Sequence, residues 1–431
     1  MEESLPSAVV QSVPPKPRGH WFSAFIGPGL ITGASDDDPS GIGTYSQVGA
    51  QFGFSALWLM WVSYPLMVAA QLISAQIGRV TGQGLGANIR QHYPAWFYLP
   101  IVGLLAVANA INIGADLGAM GEATQLLFGG PVMLYTAGLG LVSLLLQIFV
   151  PYARYVSILK WLTIAVFAYV GTAMVAQVNW PQVLHSLVVP HIQWSHEYVT
   201  AIVAVLGTTI SPYLFFWQAS EEVEEQSSTP GERPLKDAPE QAAAQMGAVR
   251  SATWFGMAVS NVIAFFIMVT AAAILHAHGV TDIDSAAQAA KALEPIAGRF
   301  AEVLFAAGMV GTGLLAVPVL AGSSAYAVGE IMKWNVGLGN RPLQAKGFYA
   351  VIAVSTWLGI GMNLLHLNAM KALYWTAVIN GVIAAPILVA VMLVAARRSV
   401  MGGLPISRSL KFWGWLTTAV MTACAVAVLA F

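Results

Sequence analysis

From about residue 22 onward, long apolar runs alternate with short polar segments. A helix needs about 20 mostly apolar residues to cross the hydrocarbon core of a bilayer. The pattern predicts eleven such spans, at 22–50, 53–77, 99–126, 131–150, 155–177, 199–220, 252–277, 299–329, 345–364, 368–395 and 408–430. Two of them are interrupted by helix breakers. Span one is broken at Asp38-Pro39-Ser40-Gly41 and span six at Thr209-Ile210-Ser211-Pro212-Tyr213. These are the first members of two groups of five. An odd number of spans per group inverts the second group relative to the first, and paired broken helices in an inverted repeat point to a transport site near the midplane. The predicted organisation is a disordered tail at 1–20, a first five-helix repeat at 21–177, a second at 199–395, and an eleventh helix at 408–430 outside the repeat.

Composition makes the membrane reading firm. The 431 residues are 57% hydrophobic and 9% charged, against about 25% charged in soluble domains. A net charge of -1 offers no basic surface for nucleic acid. The single cysteine, Cys424, excludes an intrachain disulfide and a cysteine metal cluster. Of the 19 lysines and arginines, the segments predicted to lie outside hold only Lys291, Arg299 and Lys371. That asymmetry predicts a cytoplasmic amino terminus and an external carboxy terminus. Size and the lack of a targeting signal suggest a bacterial inner membrane. The polar stretch 221–250 reads as a solvated cytoplasmic loop, with the Glu221–Glu225 run extending a helix into water. His185, His191 and His196 on the outer side fit no compact metal site. Glu122 and Glu302 read as interfacial, and Trp58, Trp61, Trp161, Trp180 and Trp375 as interface anchors.

The candidate chemistry lies in the first break, where Asp36, Asp37 and Asp38 follow one another within apolar sequence. Acids at membrane depth are expensive and normally face a cavity or an ion path. Freed carbonyls beside carboxylates make an oxygen-rich cation site. Asp38 is the principal candidate ligand; the competing role is a cap on the helix that follows. Asp36, Asp37 and the adjoining Ser35 are secondary candidates, because neighbours on a helix project about 100° apart and three acids cannot all reach one ion. In span six, Ser211 and the Ile210 carbonyl are candidate oxygen ligands, since Pro212 leaves a preceding carbonyl unpaired. Tyr213 either lines the site or packs. Asn109, Asn112 and Asp116 follow i, i+3, i+7 spacing and share one helix face, which lines a path or bonds another helix. Asn380, ahead of Pro386, is a further pathway candidate.

Several segments together resemble the NRAMP divalent-metal transporters, which have a LeuT-like fold. Gly27-Pro28-Gly29 followed by Asp38-Pro39 resembles the opening of their first helix. The stretch from Gln71 to Gln83, through Gly78-Arg79-Val80-Thr81-Gly82, is similar to the end of their second. Asp116-Leu117 resembles the acidic motif of the third, and Leu304–Gly308 with Ala321-Gly322 the eighth. The resemblance implies an all-α integral membrane protein with a LeuT-like 5+5 inverted repeat, eleven transmembrane helices and broken helices one and six. It also exposes departures. Family first helices read Asp-Pro-Gly-Asn, whereas Ser40 and Gly41 stand here, so an amide ligand is missing. Family sixth helices read Met-Pro-His-Asn, whereas Ser211-Pro212-Tyr213-Leu214 stands here, so a hydroxyl replaces the thioether. Ala119 replaces a glutamate and Gln218 a histidine at positions linked in the family to proton movement, while Asp36 and Asp37 are additional acids. The chain is therefore similar to the NRAMP-related magnesium transporters, a divergent branch.

The resemblance implies a divalent cation transporter acting by alternating access. Loss of the soft sulfur ligand favours Mg²⁺, with Mn²⁺ tolerated, and small residues at 40, 41 and 211 leave room for the waters that Mg²⁺ retains. The missing titratable groups argue against proton coupling. Two alternatives stand beside this reading. One is a proton-coupled Mn²⁺/Fe²⁺ importer of ordinary NRAMP type using Asp116 as proton acceptor. The other is a cation-coupled organic-solute symporter on the same fold. No nucleophile–base pair or phosphate loop suggests an enzyme. The expected partners are the metal ion and the bilayer, with a monomeric protein and no resident cofactor.

Overall fold

The computed structural model describes residues 32–33, 35–150 and 164–430. The described residues are helical, without strands. Thr32, Gly33, Ser35 and Asp36 form the end of a helix that stops at Asp37. Helices α1 (Pro39–Phe52), α2 (Trp58–Thr81), α3 (Leu85–His92), α4 (Ala95–Phe128) and α5 (Val132–Phe149) follow. After the undescribed stretch come α6 (Ala168–Val175), α7 (Trp180–Val188), α8 (His196–Thr209) and α9 (Pro212–Ser228). The chain ends with α10 (Ala242–Ile274), α11 (Ala301–Met332), α12 (Lys346–Met362), α13 (Ala369–Ala396) and α14 (Arg408–Ala430). The punctuation follows from backbone chemistry. Pro39 and Pro212 open α1 and α9 at the first turn, where a missing N–H costs nothing. Gly82 closes α2 in the left-handed conformation, φ 64°.

Among the described residues, nine helical segments are long and apolar enough to cross a membrane. They correspond to predicted spans two to four and six to eleven, and several run well beyond the predicted ends, as in Pro239–His278 against 252–277 and Ala286–Met332 against 299–329. Spans one and five run into residues outside the description, as do the tail at 1–20, the Gly27-Pro28-Gly29 motif and Trp161. α4 runs along α11, α12 and α13, while α1 lies against α10 and α8 against α13. Without hydrophobic drive between helices in lipid, close backbone approach is what binds them, and it needs small residues. At Gly207 of α8 a Cβ would lie 2.0 Å from the Ala377 carbonyl oxygen of α13. The outer wall is apolar: α5 exposes Leu134, Leu141, Leu145 and Phe149 to the surroundings.

The 221–250 segment is only in part a solvated loop: most of 229–241 is exposed or half-exposed, but its start is helical and several of its side chains are buried. α9 continues to Ser228, and Glu222, Leu235 and Ala238 are buried. Arg79, near the end of α2, explains this. Its guanidinium donates to Glu222 at 2.6 Å, to Glu232 at 2.7 Å, and to Glu225. The planar fork of five donors lets one cation satisfy three carboxylates. The backbone follows, with Leu235 and Lys236 N–H donating to the Arg79 and Val80 carbonyls. On the opposite side of the chain's fold, His185 and His191 join His276 around a cavity of about 610 Å³, while His196 lines a different one. Trp58 is a structural bridge rather than a free anchor, donating from Nε1 to the Tyr198 hydroxyl at 3.1 Å, whereas Trp61 and Trp375 are exposed as expected of interface anchors.

Candidate functional site

The site begins with what Pro39 removes. A proline has no N–H to give the carbonyl four residues back, so the Ser35 carbonyl loses its helical partner. Tyr213, in the first turn of α9, supplies one: its hydroxyl lies 3.2 Å from the Ser35 oxygen. Tyr213 thus ties the second broken helix to the end of the first. Beyond the break, Asp38 turns to extended backbone, φ -71° and ψ 171°, and caps α1. Its Oδ1 accepts from the Gly41 N–H and the Ser40 hydroxyl, both at 2.7 Å. Its Oδ2 has only longer contacts, 3.1 Å from Asn112 Nδ2 and 3.4 Å from the Tyr213 hydroxyl. The cap is therefore one of the two roles considered for this carboxylate, and it occupies a single oxygen. Oδ1 holds the helix start, and Oδ2 faces the gap between helices.

Asn112 of α4 connects this acid to the rest of the site. Its Nδ2 also lies 3.4 Å from Asp116 Oδ2, and its Oδ1 accepts from Asn380 Nδ2 of α13 at 3.5 Å. Asp38, Asn112, Asp116, Asn380 and Tyr213 are all essentially inaccessible to solvent. Asp116 Oδ1 and Asn380 Oδ1 have no hydrogen-bond donor. Five of the anticipated residues, together with the Ser35 carbonyl, are thus gathered from four separate elements and the helix break.

The other anticipated residues go elsewhere, each for a stated reason. Asp36 and Asp37 turn toward α10 and meet Ser260 there, at 2.7 and 3.2 Å. Among the described residues, no three His, Cys, Asp or Glu side chains gather closely enough to hold a metal ion. The Ser211 hydroxyl does not project into the gap. It donates back to the Gly207 and Thr208 carbonyls, at 3.1 and 2.6 Å, taking up acceptors that the second break frees. Ile210 caps α8 with non-helical geometry, φ -118° and ψ 55°. Asn109 donates to the Leu320 carbonyl and the Ser324 hydroxyl, so it ties α4 to α11. Gln218 donates to Glu222 at 2.7 Å and belongs to the Arg79 cluster. Nor does Gly41 leave open room. A Cβ there would lie 3.3 Å from both Thr208 Oγ1 and the Tyr45 ring, which occupy that side.

Two participants were not foreseen. Ser40 bonds Asp38 directly, and Ser260 joins the other two acids. Ser260 stands with Asn261 in an otherwise apolar span, and polar residues in membrane helices are uncommon enough to have marked it. Charge completes the description. The ion pairs among the described residues involve Arg79, Arg233 and Lys371. None reaches Asp36, Asp37, Asp38 or Asp116. Among the described residues, four buried carboxyl groups therefore have no basic side chain paired to them.

Comparison with known proteins shows the family and the fold. The chain is 26% identical over 409 residues to the divalent metal cation transporter MntH of Klebsiella pneumoniae strain 342, covering 93% of this chain and 92% of that one. Its fold is shared with the Eremococcus coleocola manganese transporter, at a TM-score of 0.75 and 17% identity, over 96% of this chain and 88% of that one. It is shared more loosely with Mhp1, a nucleobase-cation-symport-1 family transporter, at a TM-score of 0.58 and 16% identity, over 94% of this chain and 90% of that one. Residues 29–431 match the Natural resistance-associated macrophage protein-like family, Nramp. With a buried acidic centre at two broken helices and a match over nearly its whole length, the chain belongs to the Nramp family.

Proposed function

We propose that this protein carries divalent cations across a membrane by alternating access, with Asp38 Oδ2 as the first ligand. One observation carries the reading: a buried carboxylate oxygen held only by long contacts, at the meeting of both helix breaks, with no basic side chain paired to it among the described residues. An arriving cation would displace the Asn112 and Tyr213 contacts, while the two short bonds on Oδ1 keep the helix start in place. The Ser35 carbonyl, Asn380 Oδ1 and Asp116 Oδ1 are the further oxygen donors linked to Asp38 through Tyr213 and Asn112; the Ile210 carbonyl at the second break is a further candidate. The Klebsiella relative named for divalent metal transport supports the substrate class.

This donor set contains oxygen and no sulfur. Carboxylate, carbonyl and water suit Mg²⁺ and Mn²⁺, while thioether ligands favour softer ions. We therefore assign Mg²⁺ as the preferred cargo, with Mn²⁺ accepted. The waters that Mg²⁺ keeps cannot sit beside Gly41, where Tyr45 and Thr208 pack; the Asn112–Asn380 side is where donors lack partners. The proposed arrangement is two inverted five-helix repeats at 21–177 and 199–395, followed by the eleventh helix, in a monomer with its amino terminus inside a bacterial inner membrane. A second reading, a proton-coupled Mn²⁺ importer, draws on Asn112, which links Asp38 to Asp116 and so ties cation binding to a second acid.

The deciding experiment is uptake into proteoliposomes. Mg²⁺ uptake that Mn²⁺ competes for, without alkalinisation of the outside medium, supports the leading reading. Mn²⁺ uptake driven by an inward proton gradient, with no Mg²⁺ uptake, supports the second. Uptake of either ion unchanged in Asp38→Asn removes Asp38 from the site.

A further inference from the structure

The three consecutive acids do not form one site. Asp38 faces α4 and α9, while Asp36 and Asp37 both face Ser260 of α10. The contacts at Ser260 are chemically incomplete. A hydroxyl carries one proton, and an ionised carboxylate only accepts. Ser260 lies 2.7 Å from Asp36 Oδ2 and 3.2 Å from Asp37 Oδ1, so its one proton cannot fully serve both. Asp36 Oδ1, on a side chain 1% exposed, has no donor at all.

Charge sharpens the point. A divalent ion at Asp38 and Asp116 offsets two of the four buried carboxylates and leaves Asp36 and Asp37 uncompensated. Unpaired charge in a dry interior is costly, so such a carboxyl is either held neutral by a proton or matched by a partner of opposite sign. No basic side chain among the described ion pairs provides it.

We infer that Asp36, Asp37 and Ser260 form a second cation position, distinct from the one at Asp38 and filled by a hard, oxygen-seeking ion such as Mg²⁺. The inference rests on the cation-transport reading of the neighbouring site. Two carboxylates and a hydroxyl are a donor set for an ion that keeps part of its water shell. Because Asp36 and Asp37 belong to the end of the helix before the break and Ser260 to α10, an ion here ties that half-helix to α10. The Asp38 position instead joins α1, α4 and α9.

Calorimetric titration of the purified full-length protein with MgCl₂ tests this. The expected stoichiometry is two ions per chain. Asp38→Asn should leave one, and Asp36→Asn combined with Asp37→Asn should leave the other at unchanged affinity. Ser260→Ala should weaken the second ion about tenfold, while Ser260→Thr, which keeps the hydroxyl, should hold it within about twofold. A wild-type stoichiometry of one, unaltered by Asp36→Asn with Asp37→Asn, overturns the second position and leaves the transport reading intact. One ion lost equally in the Asp38 and Asp36 variants also overturns it, because the acids then serve a single site. One ion surviving in Asp38→Asn and abolished by adding Asp36→Asn supports it even if Asp38 proves not to carry the cargo.

Discussion

Two groups of acids in this protein have opposite surroundings. Glu222, Glu225 and Glu232 converge on the Arg79 guanidinium. Asp36, Asp37, Asp38 and Asp116 have amides, hydroxyls and each other, with no basic partner. Both groups carry the cost of removing charge from water. In the first the fold supplies its own cation, so the cluster is a fastening that joins α2, α9 and the segment after it. In the second, no basic side chain among the described residues is paired to the acids, and amides and hydroxyls are their partners. The contrast teaches that burial alone does not set an acid's role; the groups that other helices bring to it do.

The sharpest way to break the comparison is to remove one member of each group. Asp38→Asn keeps a side chain able to cap α1 but removes the charge. Losing a buried charged ligand costs roughly 3 kcal/mol or more, on the order of 100-fold in affinity, so cation uptake into proteoliposomes should fall by at least that factor while the melting temperature hardly moves. Arg79→Met should do the reverse. Breaking a buried ion pair from one side costs about 3–5 kcal/mol, so thermal unfolding should occur at clearly lower temperature. Neutralising Glu222, Glu225 and Glu232 to Gln in the same chain should recover much of the loss. If Arg79→Met abolished transport in a fully stable protein, the fastening role would be wrong.

Smaller changes refine the cation centre. Asn112→Leu removes the amide between Asp38 and Asp116. A lost hydrogen bond to a charged group is worth about 1.5–3 kcal/mol, so cation affinity measured by calorimetry should change by tenfold or more. An unchanged value would mean the two acids act independently. Ser211→Met should produce the smallest effect. The serine hydroxyl now holds the Gly207 and Thr208 carbonyls, and its loss costs about 1 kcal/mol of stability. A thioether at the break should also raise Cd²⁺ competition against Mg²⁺ uptake, and selectivity that stays put would separate this position from the cargo.

Much of this was legible along the chain. The spans, the two breaks and the acids beside the first of them follow from hydropathy and from proline, which act locally. The polar face Asn109–Asn112–Asp116 was also readable, because helical spacing alone places those residues together. Its division was not. Asn109 bonds α11 while Asn112 and Asp116 turn toward Asp38, and neighbouring helices decide that. The Glu221–Glu225 run misled for the same reason: its counter-ion, Arg79, lies about 140 residues earlier, at the end of another helix. Ser211 looked like a ligand because a hydroxyl beside a proline has free lone pairs, but the nearest unmet carbonyls were its own.

The sequence by itself determined that this chain is a helical membrane protein, where its helices break, and which acids stand at the first break. Those properties depend on apolar length and on residues that cannot continue a helix, and both are written within a few turns. Only the tertiary structure decided which oxygens face one another: Asp38 toward Asn112 and Tyr213, Asp36 and Asp37 toward Ser260, the glutamates toward Arg79. Charge neutralisation acts through space across separate helices, and no spacing along one helix specifies which partner arrives.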